Sequence, residues 1–281
     1  MVQSIQVRLG NINFINCLPL AYGLKYRGME QGVDMIAAAP AVLNGLIIEG
    51  RLDISPVSSI IYALNRDKLF ILPNLSISAS GFLQSILLAS KRPITELNNA
   101  RVALTTKSAT SRILLKIILN KAYQLTPEYF PSEVGLQTEV LKEADAALFI
   151  GDDALYAYHN KIPGCYYYDI GQEWRKLTGQ AMVYALWVVT REFAESQPGL
   201  LQKVYERLTA GFAHGLANIQ AAAACETYVS PFSAGQITDY LQLLNYTLTP
   251  AHLQALLTYY ELAQEMGFID GVPELNFASV E

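Results

Sequence analysis

AVLNGLIIEGRLDISPVSSIIYAL, residues Ala41–Leu64, predicts a helix, a short buried strand and a second helix in direct succession. Apolar residues recur at helical spacing from Val42 to Ile48. Gly50 stands where a helix commonly ends, because glycine accepts a positive φ without steric cost. Leu52–Ile54 then has the apolar character of a short strand in the interior of a sheet.

The serines after this strand have the features of an anion site. Ser58 or Ser59 can cap a helix that begins at Ile60. A helix N-terminus offers free backbone N–H groups and the positive end of the helix dipole. The same construction recurs near Ser108, so the two turns together suggest a cleft for a small negatively charged molecule. The alternative is that Ser58 and Ser59 only cap a helix.

Composition and charge narrow the classes of function. The chain has 281 residues, of which 52% are hydrophobic and 16% charged, and this indicates one large or two medium α/β domains. A formal charge of −5, without a cluster of Lys and Arg among aromatic residues, argues against a nucleic-acid partner. No apolar run is long and clean enough for a membrane span. Met1–Leu9 alternates like a first strand and lacks the apolar core of a signal peptide, so we expect a cytoplasmic protein.

The sequence lacks the common motifs of metal, nucleotide and triad chemistry. Its three cysteines and three histidines are scattered, and HExxH, CxxC, GxxxxGK[ST] and GxSxG are all missing. We therefore expect no metal and no cofactor. An enzyme with this sequence would work largely with hydroxyls, amides and backbone donors.

Strands and helices alternate along the chain, which indicates the α/β class. Polar breaks near Ser90 and Gln180 each adjoin a long hydrophobic strand, as two crossings between two lobes would. We predict one lobe from residues 1–90 and 186–281 and a second lobe from residues 91–185. Ligands of such folds bind between the lobes, at the C-terminal ends of the strands.

Two polar residues near the predicted crossing and the first strand are candidates for that cleft. Asn16 follows the first strand, and its amide can hold a substrate hydroxyl or carboxylate, or can bond its own loop backbone. Ser85 lies in an otherwise apolar strand and needs a partner, which can be a ligand or a neighbouring backbone carbonyl.

Two further strand ends would meet in the same cleft. Ser108, Thr110 and Ser111 form a hydroxyl-rich strand-to-helix turn, which suits a carboxylate because charge-assisted hydrogen bonds are strong. A plain capped helix is the alternative there. Gly151 permits close approach of a ligand, and Asp152 after it can act as a base or as a helix cap.

Taken together and in this order, six segments resemble the chorismate dehydratases of the futalosine route to menaquinone. They are GNINFINCLPL (Gly10–Leu20), GRLDISPVSS (Gly50–Ser59), QSILLAS (Gln84–Ser90), KSATSRILL (Lys107–Leu115), IGDDAL (Ile150–Leu155) and YDIGQEWRKLTG with YALW (Tyr168–Trp187). After Thr178-Gly179 the family usually has a proline and an aromatic residue, where this chain has Gln180-Ala181-Met182.

The resemblance implies a fold like that of type II periplasmic binding proteins and an enzyme of the hydro-lyase class. Such an enzyme removes water from chorismate and gives 3-[(1-carboxyvinyl)oxy]benzoate. The family's cleft asparagine corresponds to Asn16, and its crossing-strand serine corresponds to Ser85. The sister family that makes 1,4-dihydroxy-6-naphthoate opens with a different segment and uses a histidine, neither of which is found here. That sister activity is the second alternative, and the leading alternative is a solute-binding protein or sensor for a small carboxylate.

The chemistry of chorismate sets what the site must do. The substrate is a dianion, and its ring proton at the ether-bearing carbon is acidic because the ring carboxylate can absorb charge through the diene. We expect either the enolpyruvyl carboxylate, held by Asn16 and Ser85, or Asp152 to take that proton. The expected partner is this small molecule alone, and the expected state is a monomer or a homodimer.

Overall fold

Two β-sheets organise the chain, and each forms the centre of one lobe. The computed structural model describes residues 6–26, 32–133, 139–226 and 230–280. In chain order the strands are β1 (Val7–Ile12), β2 (Val33–Ala38), β3 (Ile54–Ser58), β4 (Leu69–Ala79), β5 (Ile86–Ser90), β6 (Arg101–Thr105), β7 (Glu128–Ser132), β8 (Ala146–Ile150), β9 (Tyr166–Asp169), β10 (Met182–Thr190) and β11 (Leu244–Asn245). The helices are α1 (Leu18–Tyr26), α2 (Pro40–Ile48), α3 (Ser59–Leu64), α4 (Ala109–Lys121), α5 (Val140–Glu143), α6 (Gly151–His159), α7 (Ile170–Thr178), α8 (Arg191–Ser196), α9 (Pro198–Ala217), α10 (Ile219–Glu226), α11 (Ala234–Leu241) and α12 (Pro250–Glu265).

The first sheet has the order β11-β4-β10-β3-β1-β2, and the second has the order β7-β6-β8-β5-β9. In each sheet a parallel core (β2-β1-β3 or β7-β6-β8) is joined by antiparallel strands. The predicted two-lobed α/β architecture is confirmed. In the described part of the chain, no helix combines the length and apolar character that a membrane crossing requires.

The chain passes from one lobe to the other at different residues from those predicted. Strand β5 pairs with β8 and β9 in the second sheet, although residues 86–90 were expected in the first lobe. All of β10 pairs in the first sheet, including Met182–Ala185. The reason is that the chain crosses before the apolar strand β5, through residues 80–85. The polar break after Ser90 is a loop inside the second lobe, where Lys91 N–H donates to the Asp145 carbonyl.

Residues 41–64 form the predicted helix–strand–helix unit, but the strand lies further along the chain than predicted. Helix α2 ends as expected at Gly50, whose φ is +70°, and the Arg51 N–H closes the end by donating to the Leu46 carbonyl. The strand is Ile54–Ser58 instead of Leu52–Ile54. Pro56 lies inside it, and a proline in the sequence normally argues against a continuing strand because it removes a ladder donor.

Strand direction brings polar residues from both lobes to one place. Parallel strands β3, β6 and β8 all end toward the cleft, so the residues that follow them meet there. Strands β5 and β10 run antiparallel to these and therefore begin at the same edge. Ile86 at the start of β5 pairs with Ile150 at the end of β8, and Ala185 of β10 pairs with Ser58 at the end of β3.

The two connections between the lobes lie against each other. A Cβ placed on Gly171 would lie 2.2 Å from the Gly81 carbonyl oxygen, so only glycine fits at this contact. The buried Asp169 carboxylate accepts hydrogen bonds from the N–H groups of Leu83 (3.1 Å) and Gln84 (2.7 Å). These contacts fix the path of the chain as it leaves the first lobe.

Candidate active site

A cavity of about 520 Å³, counting the part open to solvent, lies between the lobes where these strand ends converge. We call it the interlobe cavity. Six of the nine predicted site residues line it: Asn16, Ser58, Ser85, Ser108, Ser111 and Gly151. The other three, Ser59, Thr110 and Asp152, lie behind its wall.

The interlobe cavity is lined by apolar side chains and a smaller number of neutral polar groups, and it carries no formal charge on its described lining residues. None of these is Asp, Glu, His, Lys or Arg, and the ionisable side chains among them are Tyr184 and Tyr240. Burial raises the pKa of both tyrosines well above the ordinary value, so both keep their protons at neutral pH. A ligand in this cavity is therefore recognised by neutral hydroxyl, amide and backbone groups.

The first turn of α4 supplies the hydroxyl-rich part of the wall. Ser108 is the N-cap residue, and its Oγ accepts a hydrogen bond from the Ser111 N–H at 3.3 Å. The two hydroxyls also lie 3.1 Å apart and line the interlobe cavity. Capping and cavity lining, which the sequence offered as alternatives, are thus compatible. Because the first N–H groups of a helix have no partner within the helix, this end of α4 suits an anionic oxygen.

Asn16 is held by its backbone while its amide oxygen stays unpaired. It lies in a short 3₁₀ turn, Ile15–Cys17. Its carbonyl accepts a hydrogen bond from the Tyr246 hydroxyl at 2.8 Å, and the Ile15 N–H donates to Asp152 Oδ1 at 3.0 Å. The Asn16 Oδ1 atom is buried and has no hydrogen-bond partner in the described part of the chain. A bond from this oxygen to its own loop, the alternative that the sequence left open, is therefore not formed.

Ser85 lies just before β5 and not within it. The strand was expected from Gln84, but Gln84 has a left-handed backbone with a φ of +66°, and the ladder begins at Ile86. The Ser85 carbonyl accepts a hydrogen bond from the Gly151 N–H at 2.8 Å. Its side chain interacts with the buried Tyr240 hydroxyl and limits the rise that burial causes in the pKa of that tyrosine.

Ser58 faces the interlobe cavity, although its side chain does not cap α3. The side-chain amide of Asn44 brackets it, because Asn44 Oδ1 accepts from the Ser58 N–H at 3.1 Å and Asn44 Nδ2 donates to Ser58 Oγ at 3.3 Å. The serine oxygen is thus used as an acceptor, which leaves the hydroxyl proton available for a ligand.

Ser59 and Thr110 join the two lobes and do not line the cavity. Their hydroxyl oxygens lie 3.2 Å apart, and Thr110 Oγ1 also accepts from the Ile60 N–H at 3.1 Å. Tyr260 and Tyr259 donate to the carbonyls of Ser59 (2.6 Å) and Thr110 (3.3 Å). We call Ser59 and Thr110 the lobe bridge. Neighbouring residues point in different directions at both turns, so these two hydroxyls lie outside the cavity lining, and a substrate-binding role for them stays a prediction.

Asp152 and Gly151 serve the contact between α6 and the Asn16 loop. Burial raises the pKa of Asp152 to about 6, a rise that the hydrogen bond from Ile15 limits and that nearby Asp153 and Glu226 increase. The Phe14 ring packs on Gly151, where an added Cβ would lie 2.7 Å from a ring carbon. The structure therefore places the Asp152 carboxylate in a supporting position, outside the cavity lining.

Tyr184 and Tyr240 line the interlobe cavity but were not predicted as site residues from the sequence. Tyr184 interrupts the apolar run of β10, and a hydroxyl in such a strand is a signal of the same kind that singled out Ser85. Tyr240 lies on α11 at a position where an aromatic core residue is equally expected, so no sequence signal separates it.

Comparison with known proteins gives the family. Residues 7–265 match the family model described as "Menaquinone biosynthesis". The chain belongs to this family. A relative from Thermus thermophilus named "Chorismate dehydratase" is 35% identical over 198 residues, which cover 66% of this chain and 70% of the relative. Both findings confirm the family resemblance predicted from the six sequence segments.

Solved structures extend the family's fold to the periplasmic binding proteins. Protein AF1704 from Archaeoglobus fulgidus superposes with a TM-score of 0.76 at 19% identity, over 95% of this chain and all of that one. The periplasmic aliphatic sulphonate binding protein SsuA from Escherichia coli superposes with a TM-score of 0.65 at 14% identity, over 96% and 90% of the two chains. At these identities the likeness shows the fold alone, and it confirms the predicted fold class.

Proposed function

We propose that this protein is a chorismate dehydratase, a hydro-lyase that converts chorismate into 3-[(1-carboxyvinyl)oxy]benzoate for menaquinone biosynthesis. The family and the Thermus relative support this proposal. The single observation that carries it is the interlobe cavity, which offers neutral donors and an unpaired Asn16 amide oxygen but no ionised side chain among its described lining residues. We further propose that the enzyme acts in the cytoplasm, as a monomer or a homodimer.

Binding of the dianion follows from the donors in the wall. One carboxylate is assigned to the first turn of α4, where Ser108 and Ser111 present hydroxyls beside the helix N-terminus. The enolpyruvyl carboxylate is assigned to Asn16 and Ser85. The Asn16 amide can donate to this group while it is ionised and accept from it once it is protonated.

The composition of the cavity favours a base supplied by the substrate. The enolpyruvyl carboxylate takes the ring proton from the ether-bearing carbon, and the electron pair of that C–H bond passes into the diene and its carboxylate. The neighbouring C–O bond then breaks, and the hydroxyl leaves as water with the proton that was removed. The ring becomes aromatic, so the protein has mainly to position the substrate and stabilise developing charge.

The first test is incubation of the purified protein with chorismate, followed by mass spectrometry and ultraviolet absorbance. We expect loss of one water and the appearance of a benzoate spectrum. Asn16→Ala should lower kcat/KM by roughly 100-fold or more, as removal of a preorganised charge-stabilising group does. Asn160→Ala, at an exposed helix end, is the matched control and should keep full activity.

Unchanged chorismate would contradict the proposal. If chorismate raised the Tm without being converted, the protein would instead be a binding protein or sensor for a small carboxylate.

A further inference from the structure

Tyr184 occupies an irregular point of β10 beside the interlobe cavity. Val183 pairs with Ser78, and Ala185 pairs with Ile77. Two steps along β10 therefore correspond to one step along β4, and Tyr184 is the extra residue of a β-bulge. Bulges are common next to active sites because they redirect a side chain. The Tyr184 side chain lines the interlobe cavity.

The Tyr184 hydroxyl is buried and has no hydrogen-bond partner among the residues that the structure describes. The residue is only 8% exposed. Other buried tyrosine hydroxyls are paired, as in Tyr62, which donates to the Glu274 carbonyl at 2.8 Å, and Tyr260, which donates to the Ser59 carbonyl at 2.6 Å. An unpaired buried hydroxyl is unfavourable, because it has lost its hydrogen bonds to water without replacement. Because Tyr184 lines the interlobe cavity, a ligand bound there is the partner that would satisfy this hydroxyl.

The surroundings of the hydroxyl suit an uncharged oxygen. A Cβ on Gly171 would lie 2.7 Å from the Tyr184 hydroxyl and 2.5 Å from Leu83 Cδ2, so these two side chains share the space above that glycine. Ile77 and Ala185, the paired residues next along the strands, are apolar as well. A carboxylate here would lose most of its hydration without replacement, and the buried Asp169 carboxylate, whose charge helps raise the pKa of Tyr184, would repel it. A single hydroxyl would lose little.

We propose that the Tyr184 hydroxyl donates a hydrogen bond to the ring hydroxyl of the substrate, the group that leaves as water. This inference rests on the proposed function. As the C–O bond breaks, its oxygen takes the electron pair and gains negative charge, so the hydrogen bond strengthens in the transition state. The tyrosine keeps its own proton, since the departing oxygen receives the proton that came from the ring carbon.

The same assignment predicts how substrate and product differ in affinity. The product retains both carboxylates and the ether oxygen but has lost the ring hydroxyl. Once water has left, Tyr184 is again without a partner, and the product makes one hydrogen bond fewer than the substrate. Tyr184 thus favours the substrate over the product in the same cavity.

The test is Tyr184→Phe, which removes only the hydroxyl. We expect kcat/KM for chorismate to fall about 10- to 100-fold, the range for one lost donor to a charged or charging oxygen. The product inhibition constant should stay within about twofold, because the product has no group for this donor. The Tm of the ligand-free variant should equal or exceed that of the wild type, since an unpaired buried hydroxyl is removed.

Tyr62→Phe is the matched control, because its hydroxyl is paired and lies outside the cavity lining. It should lower the Tm and leave kcat/KM and the product inhibition constant unchanged.

Three results would overturn the inference while the proposed function stands. They are a kcat/KM for Tyr184→Phe within twofold of the wild type, a product inhibition constant that rises in step with the loss of kcat/KM, and a lower Tm of the ligand-free variant. A wild-type protein that does not convert chorismate would overturn the proposed function itself, and that result is obtained before any variant is compared.

Discussion

Neighbouring residues in the first turn of α4 do two different things with the same chemical group. Ser108 and Ser111 present hydroxyls to the interlobe cavity, and Thr110 between them reaches the other lobe. All three are buried, at 8%, 2% and 0% exposure, so burial does not separate them. Their partners do. Thr110 Oγ1 contacts both the Ser59 hydroxyl and the Ile60 N–H, whereas among the described residues the side-chain hydrogen bonds of the two serines join them to each other within their own helix.

This difference indicates that buried polar groups with donors or acceptors not used by other protein groups are the ones that face the ligand. Groups whose capacity is used within the protein hold the lobes together, as the lobe bridge does. Asn16 Oδ1 and the Tyr184 hydroxyl belong to the first kind because both are buried and unpaired at the cavity. The comparison makes separate predictions for stability and for affinity.

The largest stability effect is expected for Thr110→Val, which keeps the shape of the side chain but removes Oγ1. The Ser59 hydroxyl and the Ile60 N–H would then be buried without their partner. At about 1 to 3 kcal/mol for each of the two unpaired groups, the free energy of unfolding should fall by about 2 to 6 kcal/mol. Urea denaturation measures this change.

Thr258→Val is the control for Thr110→Val, because its hydroxyl bonds only its own helix at an exposed position, and its stability should stay close to that of the wild type. The KM of folded Thr110→Val should also be unchanged. A stable Thr110→Val protein with a raised KM would break the comparison and return Thr110 to the substrate site.

The sequence is enough to locate both strand-to-helix turns, but it does not show which hydroxyl at each turn faces the cavity. Helical spacing, Gly50 and the serine clusters were enough to place two strand-to-helix junctions at one cleft. Whether Ser58 or Ser59 faces the cavity depends on where β3 ends, and Pro56 hid the last part of that strand. If β3 ended one residue earlier or later, the side chains of Ser58 and Ser59 would exchange directions.

Long-range contacts account for the rest of what the sequence missed. Asp152 was a reasonable candidate base at a strand end, but its carboxylate is occupied by the Ile15 N–H, 137 positions away in the chain. Tyr240 enters the cavity from α11, and only the packing of the C-terminal helices against the first lobe brings it to Ser85. Neither fact has a local sequence pattern.

A second prediction tests Asp152 as a supporting residue. Asp152→Asn keeps an oxygen for the Ile15 N–H and removes the charge. Because the carboxylate is not part of the cavity lining, turnover should stay within about threefold of the wild type, as expected of a change away from the reacting atoms. Loss of turnover with intact chorismate binding would instead make Asp152 the base and remove the substrate-assisted mechanism.

The same variant has a signature in the pH dependence of stability. Burial raises the pKa of Asp152 to about 6 in the folded protein from its ordinary value of 3.8, so the folded state holds the proton more tightly than the unfolded state. Below about pH 4 both states are protonated, and this group has no effect on stability. As the pH rises through about 4 to 6, the wild type should lose about 2 to 3 kcal/mol from this group, and the loss remains above that range.

Asp152→Asn lacks this loss, so its free energy of unfolding should exceed that of the wild type by more at pH 7 than at pH 4. Urea denaturation of both proteins at the two pH values gives the difference, and the other titrating groups cancel in it. An equal difference at both pH values would show that the carboxylate has an ordinary pKa.

The smallest effect is expected for Ser111→Ala, the cavity-facing counterpart of Thr110→Val. Alanine has a high helix propensity, and the Ser111 N–H keeps its bond to Ser108 Oγ, so α4 remains capped. The variant loses one hydroxyl from the carboxylate site, which should raise the KM about 3- to 10-fold and change the free energy of unfolding by less than about 1 kcal/mol. Thr110→Val and Ser111→Ala therefore give opposite patterns from adjacent positions, one in stability and the other in KM. If Ser111→Ala lost stability without a change in KM, unpaired capacity would no longer distinguish the ligand side of this wall.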